Sequence, residues 1–160
     1  MSKDAEVRAD REKSIALNRK AKFKYEILDR FEAGIALTGS EVKSCRAHKV
    51  GLSDAYARFQ GGELFLVNLD IATYEHAGYV QHEPKRVRKL LMHRLELRRL
   101  LGKVTERGLT MVPLGVHFNS RGLVKISLAL ARGRQEFDKR RVIRERENKV
   151  DIARQTRKYK

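Results

Sequence analysis

Five carboxylates and five histidines are the side chains of this chain considered as carriers of acid–base or metal chemistry. Acid–base catalysis needs such groups held together, and a metal needs ligands at characteristic spacings. These residues match no zinc motif, glycine-rich phosphate loop or nucleophile motif. We therefore expect a protein that is not an enzyme and holds no metal or cofactor. The residues considered are Glu32, Glu41, Asp54, Glu63, Asp70, His48, His76, His82, His93 and His117.

The single cysteine, Cys45, also lacks the partners that cysteine chemistry requires. The sequence offers no second thiol for an intramolecular disulfide or for a cysteine-rich zinc site. Cys45 falls in a short helical pattern beside Val42, and free cysteine usually behaves as a small apolar residue. We expect it to be buried and unreactive.

The net charge indicates that the chain binds anions. Thirty-six Lys and Arg against 20 Asp and Glu give a formal charge of +16, which repels itself in a compact fold unless an anion screens it. Nucleic acid is the leading candidate and an anionic membrane surface the alternative. No apolar run approaches the roughly 20 residues that span a bilayer, and no signal peptide follows the charged start. We expect a soluble, cytoplasmic protein that binds structured RNA.

The basic side chains gather in three parts of the sequence. One group, Arg19, Lys20 and Lys22, precedes the first predicted strand, and another lies at 85–89. Residues 132–160 hold twelve Lys or Arg against five Asp or Glu. This last segment could be a solvated charged surface or a membrane-surface helix, but it lacks a continuous apolar face, which favours RNA. Phosphate contacts of this kind predict binding that follows RNA shape and weakens with salt.

The elements that must position these side chains are mostly strands. The two glycines Gly61 and Gly62 predict a hairpin. Gly34 predicts a turn or bulge over 32–34, and Pro113 predicts a bulge. Six strands suggest an antiparallel barrel, because closure leaves no sheet edge exposed. Period-two alternation and β-prone runs predict the strands at 23–28, 35–37, 54–60, 63–69, 109–118 and 124–131.

Helices and tails complete the predicted organisation. Hydroxyl residues before Glu41 predict a short helix over 41–46, and leucine spacing predicts an amphipathic helix over 96–104. Residues 1–16 are expected to form a mobile arm, and 17–133 the packed domain, with Gly133 at its end. Residues 134–160 are expected to be disordered in the free protein and helical when bound.

Several segments, in the same order and spacing, resemble the small protein B family, whose members are bacterial partners of transfer-messenger RNA. The agreement runs from Leu17 into the tail. The matching segments are ALNRKA at 16–21, FEAGIAL at 31–37, GSEVKS at 39–44, RKLL at 88–91, ARG at 131–133 and DKR at 138–140.

The resemblance implies binding to the tRNA-like domain of transfer-messenger RNA and its delivery to stalled ribosomes in trans-translation. It also implies a six-stranded oligonucleotide-binding-like barrel with about three short flanking helices. The tail would contact the small-subunit decoding region and the message channel. We expect a monomer. A structural subunit of a ribonucleoprotein, such as a ribosomal protein, stays open as another class, and the identity of the bound RNA would separate the two.

The resemblance places Asn18, Glu32 and Leu91 on the surface that holds the tRNA-like domain, and Arg132 where the family usually has lysine. Glu32 would accept a hydrogen bond from a base edge or a 2′-hydroxyl, or orient a basic neighbour, or be a structural turn acid. The sequence pattern alone predicts that Leu91 is a core leucine of the adjoining helix, whereas the resemblance predicts that it is exposed and contacts RNA. The expected RNA-binding residues are Asn18, Arg19, Lys20, Lys22, Glu32, Lys43, Lys89, Leu91, Lys125 and Arg132.

The tail is expected to contact the ribosome. Asp138, Lys139 and Arg140 match the family, whereas Gln135 and Phe137 stand where other residues are common, which leaves the detailed contacts open. The expected ribosome-contacting residues are Arg134, Phe137, Asp138, Lys139, Arg140 and Ile152.

Overall fold

Strands form most of the fold. The structure, a computed structural model, describes residues 14–75, 78, 81–105, 108–135, 140, 141, 143–145, 147 and 149. Its elements in chain order are β1 (Ser14–Leu17), α1 (Ala21–Lys24), β2 (Tyr25–Ile35), α2 (Gly39–Arg46), β3 (Val50–Gly51), β4 (Tyr56–Gln60), β5 (Glu63–Val67), β6 (Asp70–Ile71), β7 (Arg88–Leu91), α3 (Arg94–Val104), β8 (Leu109–Phe118) and β9 (Val124–Gly133).

Six of these strands close into an antiparallel ring. Their order is β8, β4, β5, β7, β2 and β9, and β9 pairs back onto β8. The seventh strand of the sheet, β1, pairs with β8, while β3 and β6 form a separate two-stranded sheet. The predicted mainly-β fold with a six-stranded antiparallel barrel is confirmed, and the apolar side chains inside the ring form the main core.

The second strand differs from the prediction. It runs without interruption for 11 residues, so the predicted turn at 32–34 between two separate strands is wrong. Gly34 is extended and pairs with Lys125 on one side and Leu91 on the other. A Cβ at this position would lie 3.3 Å from the Cβ of Leu91. The glycine therefore permits the close approach of β7 and does not mark a turn.

Two strands of the sheet were not predicted. Ser14–Ala16 were assigned to a mobile arm, but they belong to β1, where Ile15 is buried against the core. The strand β7 was missed because Arg88 occupies an inward position that the alternation pattern reserves for apolar residues. In addition, Phe23 lies in the short helix α1 and not in a strand.

The glycine hairpin and the proline bulge were predicted correctly. The β4–β5 hairpin turns at Gly61 and Gly62, which both have positive φ angles, of 60° and 77°. The ladder between β8 and β9 shifts register between Pro113 and Gly115, where the bulge was predicted. The helices α2 and α3 lie where caps and leucine spacing placed them, and Leu100 is fully buried.

Cys45 is fully buried in the core, as predicted. Burial, together with the nearby negative charge of Glu41, raises the pKa of its thiol to about 11. The thiol is therefore protonated and a poor nucleophile at neutral pH.

A buried ionic cluster joins α2 to the strand β7. The Glu41 carboxylate is fully buried and accepts hydrogen bonds from Nε of Arg86 at 2.7 Å, from Nε of Arg88 at 2.8 Å and from the N–H of Thr38 at 2.8 Å. Burial alone would raise the pKa of Glu41. This effect of burial is outweighed by the hydrogen bonds from Arg86 and Thr38 and by the charge of Arg88, which together hold the pKa of Glu41 at about 2.

The stability of the fold is expected to fall as pH is lowered from about 4.5 to about 2. Glu41 has a pKa of about 2 when folded against an ordinary value of 4.5, so the unfolded chain binds more protons in this window and gains stability from them. The difference corresponds to on the order of 3 kcal/mol. Urea unfolding across this range measures the effect. Glu41→Gln has no carboxyl to protonate, and an unchanged pH dependence in that variant would refute the assignment.

Candidate nucleic-acid interface

An open groove of about 690 Å³ lies beside the β1–β8 edge of the barrel. Its lining combines apolar surface, including Leu17 and Leu114, with three exposed basic side chains, those of Arg19, Lys22 and Arg30. Apolar surface can pack on a base or sugar while cations bind phosphate. The full lining is Ser14, Leu17, Asn18, Arg19, Lys22, Arg30, Phe31, Glu32, Leu114, Gly115, Val116, His117 and Ser127.

Asn18 holds the segment that carries the basic residues. Its Nδ2 donates to the carbonyls of Leu52 at 3.3 Å and Pro113 at 3.1 Å, and its Oδ1 accepts from the N–H of Ala21 at 3.1 Å. Both ends of the amide are therefore engaged within the protein. The geometry favours a role for Asn18 in placing Arg19 and Lys22 beside the groove.

Glu32 links three adjacent strands at the groove. It lies on β2, and its Oε2 is 3.3 Å from Nε2 of His117 on β8. Its Oε1 lies 3.8 Å from Nζ of Lys125 on β9, the strand between them. Glu32 is half-exposed whereas His117 is nearly buried. Glu32 lies inside the paired part of β2, so the reading of it as a turn acid is wrong.

The surface continues from Lys125 to Leu91 through sheet register. Lys125 lies opposite Gly34 of β2, which in turn lies opposite Leu91 of β7. Leu91 is 51% exposed, whereas its neighbour Leu90 is 2% exposed. The interpretation of Leu91 as an exposed residue is confirmed, and the one that made it a core leucine of a helix is wrong. Leu91 and Lys125 therefore share the outer face of the barrel, one on each side of Gly34.

Four other predicted residues do not line the groove. Lys20 is exposed and precedes α1, next to Arg19. Lys43 on α2 lies over the ring of Tyr74, with Nζ 5.4 Å from its centroid. Lys89 forms an ion pair with Glu63. Arg132 lies opposite Glu26 in the β2–β9 ladder, at the other end of β9 from Lys125.

Part of the basic tail is described. The described residues from 140 to 149 are helical and exposed, and Arg141 pairs with Glu145 one turn later. The N–H of Arg134 donates to the carbonyl of Lys24 at 3.0 Å, which extends the ladder beyond β9. Arg140 is among the exposed helical residues. The predicted contacts Phe137, Asp138, Lys139 and Ile152 lie outside the described residues.

Two groove residues with ionisable side chains, Arg30 and His117, were missed as binding candidates. Arg30 lies two residues before Glu32 on β2 and is exposed like it, so the period-two pattern could have revealed it. His117 had been considered only as an acid–base group or a metal ligand. Its contact with Glu32 joins residues 85 positions apart, and only the sheet register brings them together.

The described part of the chain shows neither a metal-binding cluster nor a membrane-spanning helix. Within it, no group of three or more His, Cys, Asp or Glu side chains could hold a metal ion. None of its helices has the length and apolar character needed to cross a membrane.

Comparison with known proteins places the chain beside one family. A family model described as "SmpB protein" matches residues 15–158. An SsrA-binding protein of Desulforamulus reducens is 52% identical over 142 residues, covering 89% of this chain and 88% of that protein. One of Thermus thermophilus is 57% identical over 124 residues, covering 78% and 86%.

A solved structure shares both sequence and fold. It is described as "tmRNA-SmpB: a journey to the center of the bacterial ribosome", and one of its chains superposes with a TM-score of 0.65. The two chains are 56% identical, and the match covers 76% of this chain and 85% of the other.

Proposed function

The chain belongs to the SmpB (small protein B) family, and we therefore propose that it binds the tRNA-like domain of transfer-messenger RNA and brings it to stalled ribosomes for trans-translation. Binding and delivery need no reaction by the chain itself, so we propose a non-enzymatic protein. Because ribosomes lie in the bacterial cytoplasm, it acts there.

The groove beside β1 is the observation that supports this role. It combines apolar surface with Arg19, Lys22 and Arg30, and its Glu32 edge continues through Lys125 to Leu91. Such a surface suits a folded RNA that presents phosphates together with accessible sugars or bases. Asn18 serves it by anchoring the loop that carries Arg19.

The predicted residues outside the groove have two other roles, general attraction of RNA and contact with the ribosome. Lys20, Lys43, Lys89 and Arg132 add positive charge around the barrel, which attracts RNA over a longer range and without reading sequence. The tail from Arg134 to Lys160, including Phe137, Asp138, Lys139, Arg140 and Ile152, contacts the small ribosomal subunit. The described residues between 140 and 149 are helical and exposed and include Arg140, Arg141, Arg144 and Lys149, which suits contact with ribosomal RNA.

Replacing Arg19 and Lys22 together by glutamine is expected to weaken binding to the tRNA-like domain about tenfold near physiological salt. Each lost phosphate contact also lowers the slope of log affinity against log salt by roughly 0.7 to 0.9. Fluorescence anisotropy with the labelled domain at about 50 to 200 mM salt measures both quantities.

The matched control removes two exposed arginines of α3, Arg98 and Arg99, which do not line the groove. The double change to glutamine alters the net charge by the same amount and is expected to change affinity less than about threefold. An equal loss in both double variants would show that total charge, and not the groove, determines binding.

A further inference from the structure

The contact between His117 and Glu32 joins a nearly buried side chain to an exposed one. The His117 side chain is 11% exposed and that of Glu32 is 56% exposed. His117 lies in β8, which is paired on both sides at this point, with Ser14 of β1 and with Lys125 of β9. The imidazole is therefore held by the sheet, while a solvent-facing glutamate alone would sample many rotamers.

The hydrogen bond has a defined direction. A carboxylate has no proton to give, so Nε2–H of His117 donates to Oε2 of Glu32 across 3.3 Å. Lys125 lies 3.8 Å from Oε1, which is beyond hydrogen-bonding distance. A carboxylate can accept about four hydrogen bonds, so Glu32 retains acceptor capacity toward a bound molecule.

The surroundings indicate what that molecule offers. Lys125, Arg19, Lys22 and Arg30 lie near or line the same surface, and cations in such a position bind RNA phosphates. A carboxylate among phosphate-binding cations faces the sugar–phosphate backbone. The 2′-hydroxyl is the one hydrogen-bond donor of that backbone, because phosphate and ring oxygens only accept.

We infer that His117 is a positioning residue for RNA recognition: it holds the Glu32 carboxylate so that Glu32 accepts a hydrogen bond from a ribose 2′-hydroxyl of the bound RNA. The inference rests on the proposed function and adds to it a basis for preferring RNA to DNA at one nucleotide. His117 contributes through Glu32 and does not itself need to touch the RNA.

Substitutions at His117 test the positioning role. Gln carries its side-chain N–H close to where Nε2 lies, whereas Asn is one methylene shorter and Phe has no donor. Affinity for the tRNA-like domain is expected to fall about tenfold in His117→Phe and His117→Asn and to stay within about threefold in His117→Gln. Equal affinity in the Gln and Asn variants, with thermal melts that show both folded, would overturn the inference.

A double-mutant cycle separates positioning from independent contributions. If His117 acts through Glu32, the pair Glu32→Ala and His117→Asn is expected to lose about tenfold, the same as Glu32→Ala alone. Independent roles predict about a hundredfold loss, which would contradict the inference.

Analogue interference identifies the RNA group. The tRNA-like domain is transcribed with random 2′-deoxy substitution, and the bound and free pools are mapped. The wild-type chain is expected to show at least one site of deoxy interference that disappears with Glu32→Ala and with His117→Phe. Inosine and purine riboside substitutions remove base amines instead. If Glu32→Ala abolishes interference from these substitutions and not from 2′-deoxy substitution, the donor is a base amine and the 2′-hydroxyl contact is wrong.

The outcomes also separate this inference from the proposed function. Failure of the wild-type chain to prefer the tRNA-like domain would reject the function itself. Tight wild-type binding with no deoxy interference that depends on Glu32 would reject only the 2′-hydroxyl contact.

Discussion

Replacement of Arg88 by methionine is expected to lower the free energy of unfolding by about 3–5 kcal/mol, because it removes one partner from a fully buried ion pair. Glu41 would keep only the partly exposed Arg86 as its cationic partner. The change also removes the donor of three buried or partly buried hydrogen bonds to backbone carbonyls, although the Pro84 carbonyl still accepts from the N–H of Ile71. Arg88 donates to the carbonyls of Leu69, Arg86 and Pro84 at 2.6, 3.0 and 2.9 Å.

Urea unfolding followed by circular dichroism measures this loss. The matched control is Lys89→Met on the same strand, because Lys89 also forms an ion pair, with Glu63, but at the surface. Exposed pairs contribute about 0–1 kcal/mol, so this variant is expected to stay close to wild type. Similar unfolding free energies for the two variants would show that the buried cluster does not stabilise the fold.

Deletion of residues 134–160 is expected to abolish peptide tagging on stalled ribosomes while leaving affinity for transfer-messenger RNA within about threefold. The groove and the Glu32–Leu91 surface lie entirely within the barrel, so the deletion leaves them intact. The tail carries the contacts assigned to the ribosome. An in vitro translation reaction on a message without a stop codon, with labelled transfer-messenger RNA, measures tagging and binding together.

A chain with the same tail residues in scrambled order keeps the length and charge of the tail. It is expected to bind RNA normally and to fail in tagging, because the tail must place particular side chains and not only positive charge. Loss of RNA binding on deletion would contradict the division of roles, and tagging by the scrambled chain would show that charge alone suffices.

The barrel could be predicted from sequence where the signal was local. The hairpin at Gly61 and Gly62 and the bulge at Pro113 depend on the backbone preferences of a few neighbouring residues, and both are present. The strand β7 could not be predicted in the same way. Its inward Arg88 is stabilised by Glu41, 47 residues earlier in the chain, and no local pattern reveals that partner.

The predicted count of six barrel strands was correct, but one of the six predicted strands was wrongly identified. Gly34 was interpreted as a turn because glycine permits unusual backbone conformations, and this divided β2 into two strands. In the fold its missing side chain instead makes room for Leu91, a contact that depends on a strand more than 50 residues away. The extra predicted strand offset the missed β7.

The candidate site was predicted in part. The basic cluster at Arg19 and Lys22 was visible as a run of charge, and the family resemblance supplied Glu32 and Leu91. The groove itself depends on β1, whose residues Ser14–Ala16 were assigned to the arm. The partner of Glu32, His117, could be recognised only from the register of β2, β9 and β8.

Competition binding tests the proposed function most directly. Purified full-length chain is bound to labelled transfer-messenger RNA near 0.15 M salt, where nonspecific phosphate contacts are weakened, and is challenged with excess bulk tRNA. We expect the complex to survive the tRNA and to be displaced by unlabelled transfer-messenger RNA. Equal displacement by both competitors would contradict specific recognition and indicate a general RNA-binding or ribosomal role.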